Sequence, residues 1–167
     1  MAMRIAMLLL PICMNAQVAS VPRFSDFKVT TIYQGKRALP RIMGDKRDYP
    51  GFRAALNDAA KPVNFAGRYV ISEDTCGTDS VRLMITDAIS GRVREAFCIY
   101  WDYTIARHDL PIGIEYRRDS SLLIAHGCWD DEHPKCGDHY YYMTAGGLMP
   151  LRWIPFSPPI QDLANAH

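Results

Sequence analysis

The feature of this sequence that most constrains its fold is the regular alternation of short apolar segments with tight turns from residue 64 onwards. Residues 64–93 read NFAGRYVISEDTCGTDSVRLMITDAISGRV, which indicates two strands and the opening of a third. A cysteine-bearing turn and an Asp-Ala-Ile-Ser-Gly turn join them. Loops this short connect neighbouring antiparallel strands. The sequence therefore predicts an α+β fold, an antiparallel β-meander of about seven strands with one N-terminal helix packed on the sheet.

Strand positions follow from apolar segments bounded by turn formers such as Arg-Asp-Ser and Ala-Gly-Gly. An alternating segment near residues 27–33 predicts a further strand before the helix. The strands expected after the helix cover residues 68–73, 81–87, 93–101, 113–118, 122–127, 139–144 and 148–154.

The helix is predicted between Asp48 and Pro62. Asp48 can accept hydrogen bonds from the free amide groups of the first turn, and Pro50 suits that turn because it has no N–H to leave unpaired. Pro62 ends the helix, since the residue before a proline is driven away from helical angles. The face expected to pack on the sheet carries apolar residues at helical spacing: Phe52, Ala55, Leu56 and Ala59.

The first twenty residues, 1–20, have the layout of a secretory signal peptide. Arg4 supplies one positive charge, and residues 5–14 form an apolar run too short to span a bilayer as a helix. Small residues follow at Ala16, Ala19 and Ser20, where cleavage is expected. The alternative is a buried N-terminal strand. The signal-peptide interpretation predicts a periplasmic or secreted protein with no membrane span after cleavage.

The rest of the chain is expected to form a single globular domain over residues 21–154, because 167 residues suffice for one core. Residues 155–167 contain three prolines and little pattern, which predicts a loosely ordered tail. Loss of Arg4 changes 19 Lys and Arg against 18 Asp and Glu into 18 against 18. A neutral protein without a basic face is not expected to bind nucleic acid.

Four of the five cysteines lie beyond the predicted signal peptide, and an even set suits an oxidising compartment. Cys128 and Cys136 flank a polar loop, so proximity favours a disulfide between them, with Cys76 and Cys98 left to pair. Four cysteines allow three connectivities, and the sequence does not choose between them. A different interpretation makes Cys76 a nucleophile activated by a histidine, which requires a free and exposed thiol.

Five segments carry a resemblance to a known family. They are Phe52-Arg-Ala-Ala-Leu, Asn64-Phe-Ala-Gly-Arg-Tyr, Cys76-Gly-Thr, Asp87-Ala-Ile-Ser-Gly-Arg-Val and Tyr116-Arg-Arg-Asp-Ser-Ser-Leu-Leu. Through them the chain resembles a family of small exported proteobacterial β-rich proteins. The resemblance implies a compact secreted β-rich domain, and it carries over no catalytic residue.

The loop between Cys128 and Cys136 is the predicted recognition site. A disulfide-closed loop is already ordered, so it loses little entropy when it binds a partner. Aromatic side chains add contact area of the kind found in interface anchors. The residues expected to contact a partner are Trp129, Asp130, Asp131, Glu132, His133, Tyr100, Trp101 and Tyr103. Small exported domains of this build often act as inhibitors or immunity proteins. We therefore expect an exported protein-binding module whose partner is another protein of the cell envelope.

A metal- or thiol-dependent hydrolase is the alternative function. His126, His133 and His139 lie close together in the sequence among acidic residues, a pool of possible metal ligands, although no recognised ligand spacing is present. No catalytic triad order, phosphate-binding glycine loop or dinucleotide motif occurs either. We therefore assign no catalytic residue, metal or cofactor from the sequence, and a structural envelope protein remains a third interpretation.

Overall fold

The structure is a computed structural model that describes residues 20–42, 51–78, 80–100, 113–129 and 135–156. Residues 1–19 of the predicted signal peptide, the helix-start residues Asp48 and Pro50, and all of the predicted tail after Phe156 lie outside these ranges. The elements in chain order are a 3-10 helix Phe24–Phe27, α1 Phe52–Asn57, β1 Tyr69–Asp74, β2 Ser80–Asp87, β3 Val93–Tyr100, β4 Gly113–Tyr116, β5 Leu122–Trp129, β6 Lys135–Thr144 and β7 Gly147–Pro155.

All seven strands belong to one antiparallel sheet in the order β1-β2-β3-β5-β6-β7, with β4 also paired to β5. β3 meets β5 at one pair, Tyr100 opposite Cys128, and β4 continues along the same edge of β5 from Gly113 opposite His126. β3 and β4 therefore pair one after the other with the same edge of β5. The predicted fold class, an α+β antiparallel meander with a helix packed on it, is confirmed.

The sheet curls so that one face becomes a concave core. In a flat sheet, β1 and β7 would lie five strand spacings apart, about 24 Å. Instead, Tyr69 of β1 and Leu148 of β7 pack against the same buried cluster, and the guanidinium of Arg94 in β3 donates to the carbonyl of Gly146 beyond β6. The cluster consists of Phe65, Ile71, Leu83, Ile85, Phe97, Ile99, Leu123 and Ala125.

The opposite, convex face of the sheet is covered by two N-terminal segments. Alternation along a strand directs Met84 away from Leu83 and the core, and Met84 packs with Ala55 of α1. The 3-10 helix lays Phe24 and Phe27 over Leu122 and its neighbours in the same way. The segments before β1 thus seal the second face of the sheet.

Two local predictions about these N-terminal segments are wrong. Leu56, expected on the buried face of α1, is 47% exposed, because the helix is only six residues long and buries Ala55 instead. Residues 27–33 do not form a strand. Lys28 makes an isolated bridge with Ser120, and the N–H of Tyr33 donates to the carbonyl of Gly67. The segment crosses the ends of other elements, so it has no neighbouring strand with which to form a ladder.

The Asn-Phe-Ala-Gly segment before β1 has a structural role. The side chain of Asn64 accepts a hydrogen bond from the N–H of Ile71 at 2.8 Å and donates to its carbonyl at 3.1 Å, so it takes the place of a neighbouring strand at the edge of β1. Gly67 has a φ of 68°, and a Cβ there would lie 2.2 Å from the carbonyl oxygen of Thr31. Only glycine fits this position.

The Asp-Ala-Ile-Ser-Gly turn between β2 and β3 is likewise explained by local structure. The carboxylate of Asp87 accepts hydrogen bonds from the N–H groups of Ile89 and Ser90 and from Arg68. Gly91 has a φ of 72°, and a Cβ there would lie 2.1 Å from the carbonyl oxygen of Leu39. These two segments, which carry the family resemblance most distinctively, therefore build the scaffold.

Candidate functional site

Both disulfides brace the sheet. Cys76 bonds to Cys98, which ties the turn between β1 and β2 to β3 across a Cα separation of 6.3 Å. Cys128 bonds to Cys136, its directly opposite partner on β6, across 4.0 Å. This is the connectivity that proximity in the sequence favoured. A cysteine in a disulfide has no thiolate, so Cys76 in this state is not the nucleophile of a thiol-dependent hydrolase.

Trp129 lies at the end of β5 and is half-buried. Its indole packs 4.8 Å from the ring of Phe97 and 6.1 Å from that of Tyr141, on the concave face. Tyr100, also predicted to contact a partner, is half-buried at the end of β3. The other predicted contact residues lie outside the described residues: Trp101, Tyr103, Asp130, Asp131, Glu132 and His133.

A cleft of about 350 Å³ opens beside Trp129, and we call it the aromatic groove. Its lining residues are Trp129, Lys135, His139, Tyr141 and Trp153. The imidazole of His139 stacks on the indole of Trp153 at 6.2 Å with an interplanar angle of 18°, and it meets Trp129 edge-on at 5.9 Å. Trp153 is 44% exposed. The groove therefore has a half-buried indole on one side of the imidazole and an exposed indole on the other.

The aromatic groove carries little charge at neutral pH. Burial lowers the pKa of His139 below its usual value of 6.5, and the hydrogen bond from Nε2 to the carbonyl of Lys135, at 2.9 Å, opposes this shift without cancelling it. Burial also raises the pKa of Tyr141 to about 12. His139 and Tyr141 are therefore neutral at pH 7, and Lys135 is the cationic residue of the lining.

Folding stability is expected to depend on His139 below about pH 6.5. The pKa of His139 is lower in the folded than in the unfolded protein, so its contribution is complete above the unfolded value and is lost as the pH falls toward the folded value. Urea unfolding between pH 7.5 and 5 is the measurement. We expect His139→Gln, which keeps a neutral donor near the Lys135 carbonyl, to lose less stability on acidification than the wild type. Equal losses in the two proteins would contradict this prediction.

Comparison of the chain with protein-family models, with curated proteins and with solved structures found no match. The resemblance stated from the sequence therefore stays a prediction. None of the helices in the described ranges is long and apolar enough to cross a membrane.

His126 forms a second cluster of titratable groups. Its Nδ1 lies 2.7 Å from Oδ1 of Asp138, and its Nε2 lies 3.0 Å from Oε1 of Glu115. The cross-strand pair of Ala125 with His139 places His139 on the concave face and therefore His126 on the convex face. The two histidines proposed as ligands of one metal site are thus on opposite sides of the sheet.

The cluster around His126 is suited to holding the strands together. Asp138 is the direct partner of His126 on β6, and Glu115 comes from β4, so the imidazole links three strands. With both ring nitrogens engaged, neither is open to a metal or a substrate. Within the described ranges, no group of three or more His, Cys, Asp or Glu is arranged to hold a metal ion, while His133 lies outside them.

The sequence did not predict three residues of the aromatic groove to contact a partner: Lys135, Tyr141 and Trp153. For His139, the sequence pattern indicates only membership in a pool of possible metal ligands. Trp153 faces His139 because the register between β6 and β7 shifts between Tyr140 and Tyr141. A β-bulge of this kind changes which residues share a face, and strand alternation alone does not reveal it.

Proposed function

We propose that the protein is exported to the periplasm or beyond and acts there by binding another envelope protein, as an inhibitor or immunity factor, through the aromatic groove. The observation that carries the proposal is the indole of Trp153, which is exposed at the mouth of a preformed aromatic cleft. Tryptophan is enriched among the residues that dominate binding energy at protein interfaces. The partner should insert an apolar or aromatic side chain into the groove.

Rigidity supports this assignment. The disulfide between Cys128 and Cys136 closes β5 onto β6 beside the groove, and His139 is held by its hydrogen bond to Lys135 and by the ring of Trp153. A surface that is ordered before binding loses less conformational entropy when a partner docks. Two oxidised cysteine pairs also suit an extracytoplasmic compartment.

The predicted recognition loop adjoins the groove along the chain. Residues 130–134 connect Trp129 to Lys135, and both of these line the groove. In the sequence, the segment that carries the acidic residues therefore follows one lining residue of the groove directly and precedes another. A partner that fills the groove with an apolar side chain and also presents basic residues would complement both the groove and the acidic sequence of residues 130–134.

Removal of the exposed indole provides the test. We expect Trp153→Ala to weaken the complex captured from an envelope fraction by at least tenfold, since truncated interface anchors cost about 2 kcal/mol or more. Leu39→Ala is the matched control, because Leu39 is 80% exposed and lies outside the groove lining. Circular dichroism should show both variants folded. Unchanged binding by Trp153→Ala, or an equal loss in the Leu39→Ala control, would refute the proposed groove.

A further inference from the structure

A second cavity lies on the concave face, between β1–β3 and the hairpin of β6 and β7. Its volume is about 340 Å³, and it shares no lining residue with the aromatic groove. Ligand pockets in proteins begin at about 300 Å³. Apolar side chains from four strands form much of its floor: Tyr69, Ile85, Met143 and Leu148.

The rim of this cavity is cationic. Arg68, Arg92 and Arg94 line it together with one acid, Asp87, which gives three positive charges against one negative, a net +2. Burial tends to raise the pKa of Asp87, but hydrogen bonds from Arg68 and from two backbone N–H groups outweigh it and hold the pKa below its usual 3.8. Asp87 is therefore ionised at neutral pH, and its salt bridge with Arg68 is neutral overall.

The other two guanidiniums have no carboxylate partner in the described part of the chain. Arg94 donates to a neutral acceptor, the carbonyl of Gly146, and so keeps its full positive charge. Arg92 uses its backbone for the turn, where its N–H donates to the hydroxyl of Ser90, and its side chain lines the cavity. Two uncompensated cations thus border an apolar floor. That combination matches a ligand with one anionic end and one apolar end.

We propose that this cavity binds a medium-chain carboxylic acid. The carboxylate lies between Arg92 and Arg94, where a guanidinium can offer two parallel N–H donors to its two oxygens. The hydrocarbon chain lies against the floor around Met143 and Leu148 and is removed from water. This ligand site is independent of the protein-binding groove, so either can fail experimentally while the other stands.

Decanoate is the probe that tests the carboxylate and the chain together. The readout is the methyl NMR signal of Met143, followed during titration of the full chain with decanoate, decan-1-ol and acetate. The methyl of Met149 serves as an internal reference, because Met149 is exposed and does not line the cavity. We expect saturable shifts with decanoate, binding at least tenfold weaker with decan-1-ol, and no binding of acetate. Equal affinity for decanoate and decan-1-ol, or no shift of Met143 with decanoate, would overturn the proposal.

Substitution of the rim arginines assigns the site. Arg92→Gln is expected to weaken decanoate binding about tenfold or more, because the charge-assisted hydrogen bonds of one guanidinium to the carboxylate are lost. Arg94→Gln is expected to do the same. Arg53→Gln is the control, since Arg53 is an exposed arginine of α1 outside the cavity. Thermal unfolding should show that all three variants fold. An equal loss of affinity in Arg53→Gln, or full affinity in both rim variants, would place the ligand elsewhere and overturn the assignment.

Discussion

Replacing Phe65 with alanine is expected to lower the free energy of unfolding by about 3–5 kcal/mol. Phe65 is fully buried in the concave core, where its ring meets that of Tyr116 edge-on at 6.3 Å and lies 6.4 Å from that of Tyr69. It belongs to the segment before β1, yet it joins a buried cluster whose other members come from four strands, β1, β2, β3 and β5. Its removal leaves a cavity that the surrounding rings cannot fill without losing their own contacts.

Urea denaturation at neutral pH measures this loss. The matched control is Leu56→Ala, because Leu56 is the apolar residue of α1 that the structure leaves largely exposed. We expect the control to change the free energy of unfolding by less than about 0.5 kcal/mol. Similar losses in both variants would mean that the segment before β1 does not insert into the core.

Loss of the Cys76–Cys98 disulfide is expected to have the next largest effect. The two cysteines are 22 residues apart, and the chain-entropy relation gives about 3.4 kcal/mol for a loop of that length. The Cys128–Cys136 bridge closes only 8 residues, which gives about 2.5 kcal/mol. The double variants Cys76→Ser/Cys98→Ser and Cys128→Ser/Cys136→Ser should therefore differ in stability in this order.

Non-reducing urea unfolding of the wild type and both double variants makes this comparison, and each variant is its partner's control. In excess reductant the wild type loses both bridges, so its free energy of unfolding should fall below that of either double variant, each of which keeps one bridge. If both double variants kept the stability of the wild type, the bridges would not constrain the unfolded chain.

The sequence was sufficient for the sheet because its turns are short. A two-residue loop such as Ala145-Gly146, between β6 and β7, can connect only neighbouring antiparallel strands. Two features were not predictable in this way: the curl of the sheet, and the pairing of both β3 and β4 with the same edge of β5. Both depend on pairing between distant residues, such as Tyr100 with Cys128, and local patterns do not encode such register.

The position of Trp129 was partly predictable. The strand expected at residues 122–127 extends two residues further, and alternation from Leu123 and Ala125 then places Trp129 on the core face. Interpreting Trp129 as a displayed loop residue missed this packing. The tryptophan with a largely exposed indole is instead Trp153, whose face is set by the register shift between β6 and β7.

The histidine pool shows the same limitation. His126 and His139 are close in sequence, but they enter two paired strands in a register that directs them to opposite faces. Proximity along the chain therefore predicted a common site that the hydrogen-bond ladder does not form. A difference of one residue in register would have reversed this outcome.

Both the binding proposal and the disulfide-braced groove require an exported, oxidised protein. Cell fractionation followed by non-reducing peptide mapping of the native protein tests this requirement most directly. We expect the protein in the envelope or secreted fraction, shortened at its N-terminus, with peptides linked through Cys76–Cys98 and Cys128–Cys136. Full-length protein in the cytosol with four reactive thiols would contradict it.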